Sequence, residues 1–280
     1  MGRLSTEERP AEIGCSTPKR DADQYMSFSS YVQGHEATPV ELPLVHTTTC
    51  FRLNSIRGSH SIQTSPCEVF NEHLTYFFYG RPAYRDSSAT KPVRDIGFYP
   101  ICFVFKPGAI SATPRRLYPF DSGAFQEGLY EPAIPASHEL LTYEVLATTE
   151  SARRIVRGFF DADEPYLANQ PKVGLLFKPG EIEADSYYHL INGGGDPDCD
   201  DRCSAIEVQI DVDLDLSARV LMAVVLPNSF LEDAPLREAL LKVWRAVPLA
   251  YDADLGMRPL EFHGYVRNIV RSFYRRLRLI

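Results

Sequence analysis

Nowhere in its 280 residues does the sequence hold the ~18 successive apolar residues that a membrane-spanning helix requires. Its first residues, MGRLSTEERPAEIG, carry no apolar core of the signal-peptide kind. Gly2 with a serine at the matching offset is only a weak myristoylation pattern. Cysteine is sparse: six residues (Cys15, Cys50, Cys67, Cys102, Cys199, Cys203) do not make a disulfide scaffold, and only Cys199 and Cys203 lie close together. Cys102, inside the apolar run IGFYPICFVF, reads as a buried thiol. Cations are outnumbered, 29 Lys and Arg against 37 Asp and Glu, for a net charge of −8. That balance argues against a chain built mainly to grip nucleic acid, although a local basic groove is compatible with it. There is no internal repeat and no Gly/Ser linker. Together these absences predict a soluble, reduced, cytoplasmic protein with no membrane partner.

What is present is ordinary globular composition, 44% hydrophobic and 24% charged. Residues 1–38 are polar and read as an N-terminal arm, possible disorder included. Residues 39–280 read as a single domain. ELPLVHTTT, SIQTS, His73–Tyr79, IGFYPICFVFK, KVGLLFK, SYYHLIN, CSAIEVQIDVDLDL and ARVLMAVVLP are strand candidates by their β-branched and aromatic content. Pro100 predicts a bulge or break in the fourth of these. FRLNSIRG reads as a short helix ending at Gly58. Thr149–Phe160 has helical spacing at Ile155, Val156, Phe159 and Phe160. Pro235–Val247 and Pro259–Leu279 are helix candidates with proline near their starts. Strands, a helix, more strands and then helices make an α+β class rather than an alternating α/β one.

The most informative stretch is HLTYFFYGRPAYR, residues 73–85. Aromatics suit a flat ring and arginines suit an anion, so the two together suit a pocket for a dinucleotide. By alternation, Tyr76 and Phe78 share one face of the strand, while Phe77 and Tyr79 share the other. Glu207 is the lone acid in the apolar strand AIEVQI, where an unpaired carboxylate is costly without a purpose. A carboxylate is useful where a breaking N-glycosidic bond leaves positive charge on a sugar.

Three pieces stand in order: VHTTT with His46, then Leu53, Ile56 and Gly58; the aromatic strand ending YFFYGRPAYR; and AIEVQI with Glu207. This order resembles the ADP-ribosyltransferase superfamily in its His–Tyr–Glu branch, especially DarT-like and RNA 2′-phosphotransferase-like enzymes. The likeness covers about a third of the chain. It implies a split, mixed or antiparallel sheet core of ADP-ribosyltransferase type with flanking helices and a C-terminal helix, and NAD as substrate. It also implies transfer of ADP-ribose to a macromolecule, nucleic acid or protein, or to water, a chemistry at home in toxins and defence effectors. His46 then meets the adenine-side ribose, with Thr47 and Thr48 beside it. A tyrosine of residues 76–84, taken as Tyr79, stacks on nicotinamide, and Tyr84 completes the pocket. Arg81 and Arg85 serve the pyrophosphate, and Glu207 the nicotinamide ribose. The sequence departs from the family's E/Q-x-E pair, since Gln209 follows Glu207, and it has a long insert before the third piece.

Other segments offer alternatives. YPFDSGAF puts Asp121 in an Asx-type turn with a possible substrate role. GGGDPDCDDRC reads as a surface loop that contacts the acceptor rather than as a metal site. A metal-dependent hydrolase or nuclease would instead draw on the acids of Asp196–Asp201, Asp211 and His263. The arginines of the C-terminal helix could meet an anionic partner or simply suit the helix end. Glu261 and His263 are an alternative acid and base. A non-catalytic nucleotide-binding module is the third reading.

Overall fold

The computed structural model describes residues 25–83, 91–195 and 200–280. Its strands are β1 (Leu44–Thr49), β2 (Ser61–Ile62), β3 (Ser65–Cys67), β4 (Glu72–Tyr79), β5 (Pro100–Phe105), β6 (Arg116–Tyr118), β7 (Glu207–Ile210), β8 (Leu214–Asp215), β9 (Leu221–Pro227) and β10 (Val247–Tyr251). Its helices are α1 (Phe28–Gln33), α2 (Leu53–Ser59), α3 (Ser122–Gln126), α4 (Thr149–Phe160), α5 (Asp163–Leu167), α6 (Ile182–His189), α7 (Ala234–Glu238) and α8 (Phe262–Arg276).

The two most apolar stretches become adjacent strands. PICFVF of β5 is buried along its whole length, and it pairs antiparallel with β9. A strand covered on both faces needs an unbroken apolar run rather than an alternating one, as these sequences have. The main sheet runs β10-β9-β5-β1-β4-β7-β6, with β3 added beside β4; β2 and β8 form a separate pair. Within the main sheet the pairings are antiparallel except β9 with β10. Helix α8 packs on β5, β9 and β10. Helix α4 starts at Thr148, whose side chain accepts from the Ser151 N–H, and buries Ile155, Val156, Phe159 and Phe160. The architecture is therefore α+β, a mostly antiparallel sheet flanked by helices.

Register decides where the sheet opens. β1 pairs with β4 at Leu44↔Tyr79 and Val45↔Phe78 and no further. From His46 onward β1 stays with β5, as far as Thr49↔Pro100. β4 stays with β7, from Phe78↔Glu207 to Thr75↔Ile210. The sheet parts between β1 and β4, beginning at His46.

Several expectations need correction. Residues 25–38 are not a loose arm: Phe28 and Val32 are buried, and Phe28 meets the rings of Tyr143, Phe159 and Tyr187. SYYHLIN is not a strand but part of α6 and the turn that follows, because Tyr187 must reach inward to Phe28 and Phe159. KVGLLFK has no regular structure, and its Val173 and Leu176 stand almost fully exposed. Pro100 opens β5 instead of interrupting it, after a short 3₁₀ turn at Ile96–Phe98. Strand β10 was not anticipated. Among the described residues no helix is long and apolar enough to cross a membrane.

Candidate functional site

Two cavities share Tyr76 in their linings. The first, of about 140 Å³, opens where β1 and β4 part, and its lining includes His46, Thr47, Thr48, Arg52, Thr75 and Tyr76. The second, of about 190 Å³, is lined by Tyr76, Phe78, Asp121, Gly123 and Glu207. Antiparallel registry explains the second. Tyr76 lies opposite Gln209 and Phe78 opposite Glu207, so all four side chains share one face of the sheet.

In the first cavity, His46 is half-buried, with its Nδ1 2.8 Å from the Tyr76 carbonyl oxygen. The side chain thus spans the gap that the backbone ladder no longer closes. Packing away from water lowers its pKa to about 4, against the opposing pull of that hydrogen bond, so the ring is neutral at pH 7. A neutral ring with Nδ1–H donating to the carbonyl leaves Nε2 as an acceptor, suited to a hydroxyl. Thr75 Oγ1 is buried without a hydrogen-bond partner. Arg52 is exposed and, among the described residues, is the only cation in the lining of either cavity and makes no ion pair.

In the second cavity, Glu207 is 1% exposed and tightly held. Ser122 donates to it twice, from the backbone N–H to Oε2 (3.1 Å) and from Oγ to Oε1 (2.7 Å). Gln209 Nε2 donates to Oε1 at 2.7 Å. The Glu207–Gln209 order, reversed against the family pair, thus still brings the two side chains together. Among the described residues no cation pairs with Glu207. Burial, reinforced by the charge of Asp121, raises its pKa to about 8. Asp121, 7% exposed, caps α3 by accepting from the Ala124 N–H at 2.8 Å, and burial raises its pKa as well. The sequence reading of an Asx-type turn becomes a helix N-cap, with the bond made three residues on, and the cap delivers a second acid to the cavity.

Other expected site residues lie elsewhere. Tyr79 does not line either cavity: it is fully buried, its hydroxyl accepts from the Leu42 N–H at 2.9 Å, and its ring lies against Tyr166. The tyrosine at the cavities is Tyr76, whose hydroxyl donates to Cys67 Sγ. Arg81 is also fully buried and does not face a ligand. Its guanidinium donates to the Tyr166 carbonyl (3.2 Å), Asn169 Oδ1 (3.3 Å), Ser204 Oγ (2.9 Å) and the Asp201 carbonyl (2.9 Å). Gly80, at φ +71°, turns the chain there, and an added Cβ would come within 2.7 Å of Leu42. That turn carries Arg81 under α5 and away from the cavities. Tyr84 and Arg85 lie outside the described residues. Thr47 and Thr48 stand beside His46 as expected.

The alternative sites lose their groups to ion pairs. Asp200 pairs with Arg202 at 2.9 Å, and Asp201 with Arg267 at 2.6 Å and Arg81 at 3.6 Å. Asp196, Asp198 and Cys199 lie outside the described residues, among which no group of three or more His, Cys, Asp or Glu is placed to hold a metal. On α8, Arg271 and Arg275 both pair with Glu164, which leaves less of that helix for an anionic partner. Glu261 is on the surface, paired with Arg258, while His263 is buried.

Sequence reasoning missed Ser122 and Arg52. The pattern D-S-G gave Ser122 only a turn role, and Arg52 lies in a helix read for its apolar positions. No protein-family model matches the sequence, and no curated protein matches it.

Proposed function

We propose that this chain is an ADP-ribosyltransferase-like enzyme that cleaves the nicotinamide glycosidic bond of NAD and passes ADP-ribose to a macromolecule or to water. The observation that carries this reading is the pair of cavities that share Tyr76, one lined by a cation unpaired among the described residues and the other by two acids. NAD has the same polarity, an anionic pyrophosphate and a cationic pyridinium. In this reading one NAD spans both cavities. The His46, Tyr76, Glu207 set follows the order that the sequence resemblance implies, with Tyr76 in place of Tyr79, and the parting of β1 from β4 supports a split-sheet pocket.

In this reading His46 Nε2 accepts from a ribose hydroxyl, and Arg52 meets the pyrophosphate. Tyr76 offers a ring face to the nicotinamide. The C–N bond breaks with its electron pair going to the ring nitrogen, which leaves nicotinamide neutral and the ribose positive. Glu207 then stabilises that charge from a fixed position, inside a cavity with little water to screen it. Because its carboxyl holds a proton up to about pH 8 in the free protein, the pyridinium's positive charge also helps to ionise it on binding.

The test is incubation with NAD labelled in the ADP-ribose moiety, following nicotinamide release together with label on protein, DNA, RNA or free ADP-ribose. Release above background, lost in Glu207→Gln, is the expected result. No NAD consumption with any acceptor offered, and no NAD binding by calorimetry, overturns the reading.

A further inference from the structure

Glu207 and Asp121 share a cavity but not an environment. Both Glu207 oxygens are engaged by donors, Oε1 by Ser122 Oγ and Gln209 Nε2, and Oε2 by the Ser122 N–H. Asp121 uses Oδ1 for the Ala124 N–H, while its Oδ2 has no hydrogen-bond partner among the described residues. Arg202, whose charge acts on Asp121, is itself paired with Asp200. A carboxyl group with both oxygens engaged by three donors has a fixed direction and no oxygen open toward an incoming nucleophile. A carboxylate with one oxygen held and the other open is positioned yet able to accept. Two acids placed in unlike surroundings commonly divide the acid–base work between them.

We infer that Asp121 is the base that takes the proton from the attacking nucleophile, while Glu207 stabilises the sugar cation. This rests on the NAD reading above and adds a role to it: the site activates a neutral, proton-bearing acceptor, a hydroxyl group or water, rather than waiting for an anionic one. With water, oxygen bonds to the ribose carbon as the C–N bond breaks. The electron pair of that bond leaves with nicotinamide, and the water proton passes to Asp121 Oδ2 and then to solvent. Ser122 and Asp121 are consecutive, so one turn both clamps the first acid and presents the second.

The experiment compares the full chain with Asp121→Asn, which keeps the Oδ1 that caps α3. Asp121→Ser, also a capping residue, is carried in parallel in case Asn does not fold. NAD consumption is followed with the proton-bearing acceptor, water or the labelled macromolecule, and separately with azide, an anionic nucleophile that has no proton to give up. Removing a general base should slow the first reaction on the order of a hundredfold or more. Formation of ADP-ribosyl azide should stay near the parental rate, and any rise in the Kd for NAD from the lost charge should be much smaller than the loss of rate with the proton-bearing acceptor. Parental turnover in Asp121→Asn with the proton-bearing acceptor overturns the assignment alone. Equal loss with azide overturns it too, because Asp121 would then act through Glu207. A parent chain that neither binds nor consumes NAD overturns the underlying reading and the assignment with it.

Discussion

Arg81 and Glu207 are both ionisable and both cut off from water, and β4 leads to one of them and pairs with the other. The protein treats them in opposite ways. Arg81 is surrounded by acceptors, has the Asp201 carboxylate at 3.6 Å and lies 5.3 Å from the centre of the Tyr166 ring. Glu207 has donors but, among the described residues, no cation, and its nearest electrostatic influence of note is a second acid. Neutralised buried charge ties elements together. A buried acid with no countercharge keeps its proton to higher pH, and such perturbed groups are more frequent at functional sites than elsewhere.

The largest effect should come from the neutralised side. Arg81→Met leaves Asp201, the Tyr166 carbonyl and Asn169 short of a donor, and should cost ~3–5 kcal/mol of stability. Chemical denaturation followed by circular dichroism measures this; a loss below about 1 kcal/mol would mean that Arg81 is dispensable to the fold. Glu207→Gln should instead leave the fold standing and raise the reaction barrier by about 3 kcal/mol, roughly a hundredfold in rate.

The same variant has a pH signature. The folded-state pKa of Glu207, about 8, lies above its ordinary value of 4.5, so the folded protein binds the proton more tightly than the unfolded chain. That contribution to stability is complete below about pH 4.5 and is lost as pH rises through about 8. Between pH 5 and 9 the parent should therefore lose melting temperature that Glu207→Gln keeps. Parallel melting curves for the two proteins would show that the acid titrates normally.

Smaller effects separate Arg52 from Arg81. Arg52→Gln should weaken NAD and ADP-ribose binding about tenfold, with melting temperature unchanged, because an exposed guanidinium contributes to a phosphate contact and little to the fold. Calorimetry with ADP-ribose reads it; equal affinity in parent and variant removes Arg52 from the ligand. Smallest is Tyr79→Phe, which loses one buried hydrogen bond from the Leu42 N–H, about 1 kcal/mol of stability, and should leave turnover as it was. A lost activity there would return Tyr79 to the site in place of Tyr76.

The strands that hold the site could be read from the sequence because their signals are local. His46, the aromatic run and Glu207 each end or interrupt an apolar stretch, and alternation placed Tyr76 and Phe78 on one face. Choosing Tyr79 over Tyr76 needed the register with β7, which no local pattern contains. Arg81 misled for a related reason: an arginine after a glycine looks exposed until the turn at Gly80 sends it beneath α5. Helix α6 reads as a strand in the sequence because Tyr187, Tyr188 and Ile191 satisfy either element, and only contacts with Phe28 and Phe159 decide between them. Ser122 gave no signal beyond its turn, since its importance comes from Glu207, 85 residues away.

The helices from α3 to α6 lie between β6 and β7, two strands that are themselves paired, with Tyr118 opposite Glu207. The chain leaves the sheet and returns to it one hydrogen-bonded rung apart. Such an excursion is a closed loop in the topological sense, although Arg81, Arg271 and Phe28 tie it to the rest of the fold. Both carboxylates stand at that root, Asp121 just after departure and Glu207 at the return. The spacing of the two acids is therefore set by a strand pairing and one turn rather than by the long chain segment that separates them in sequence.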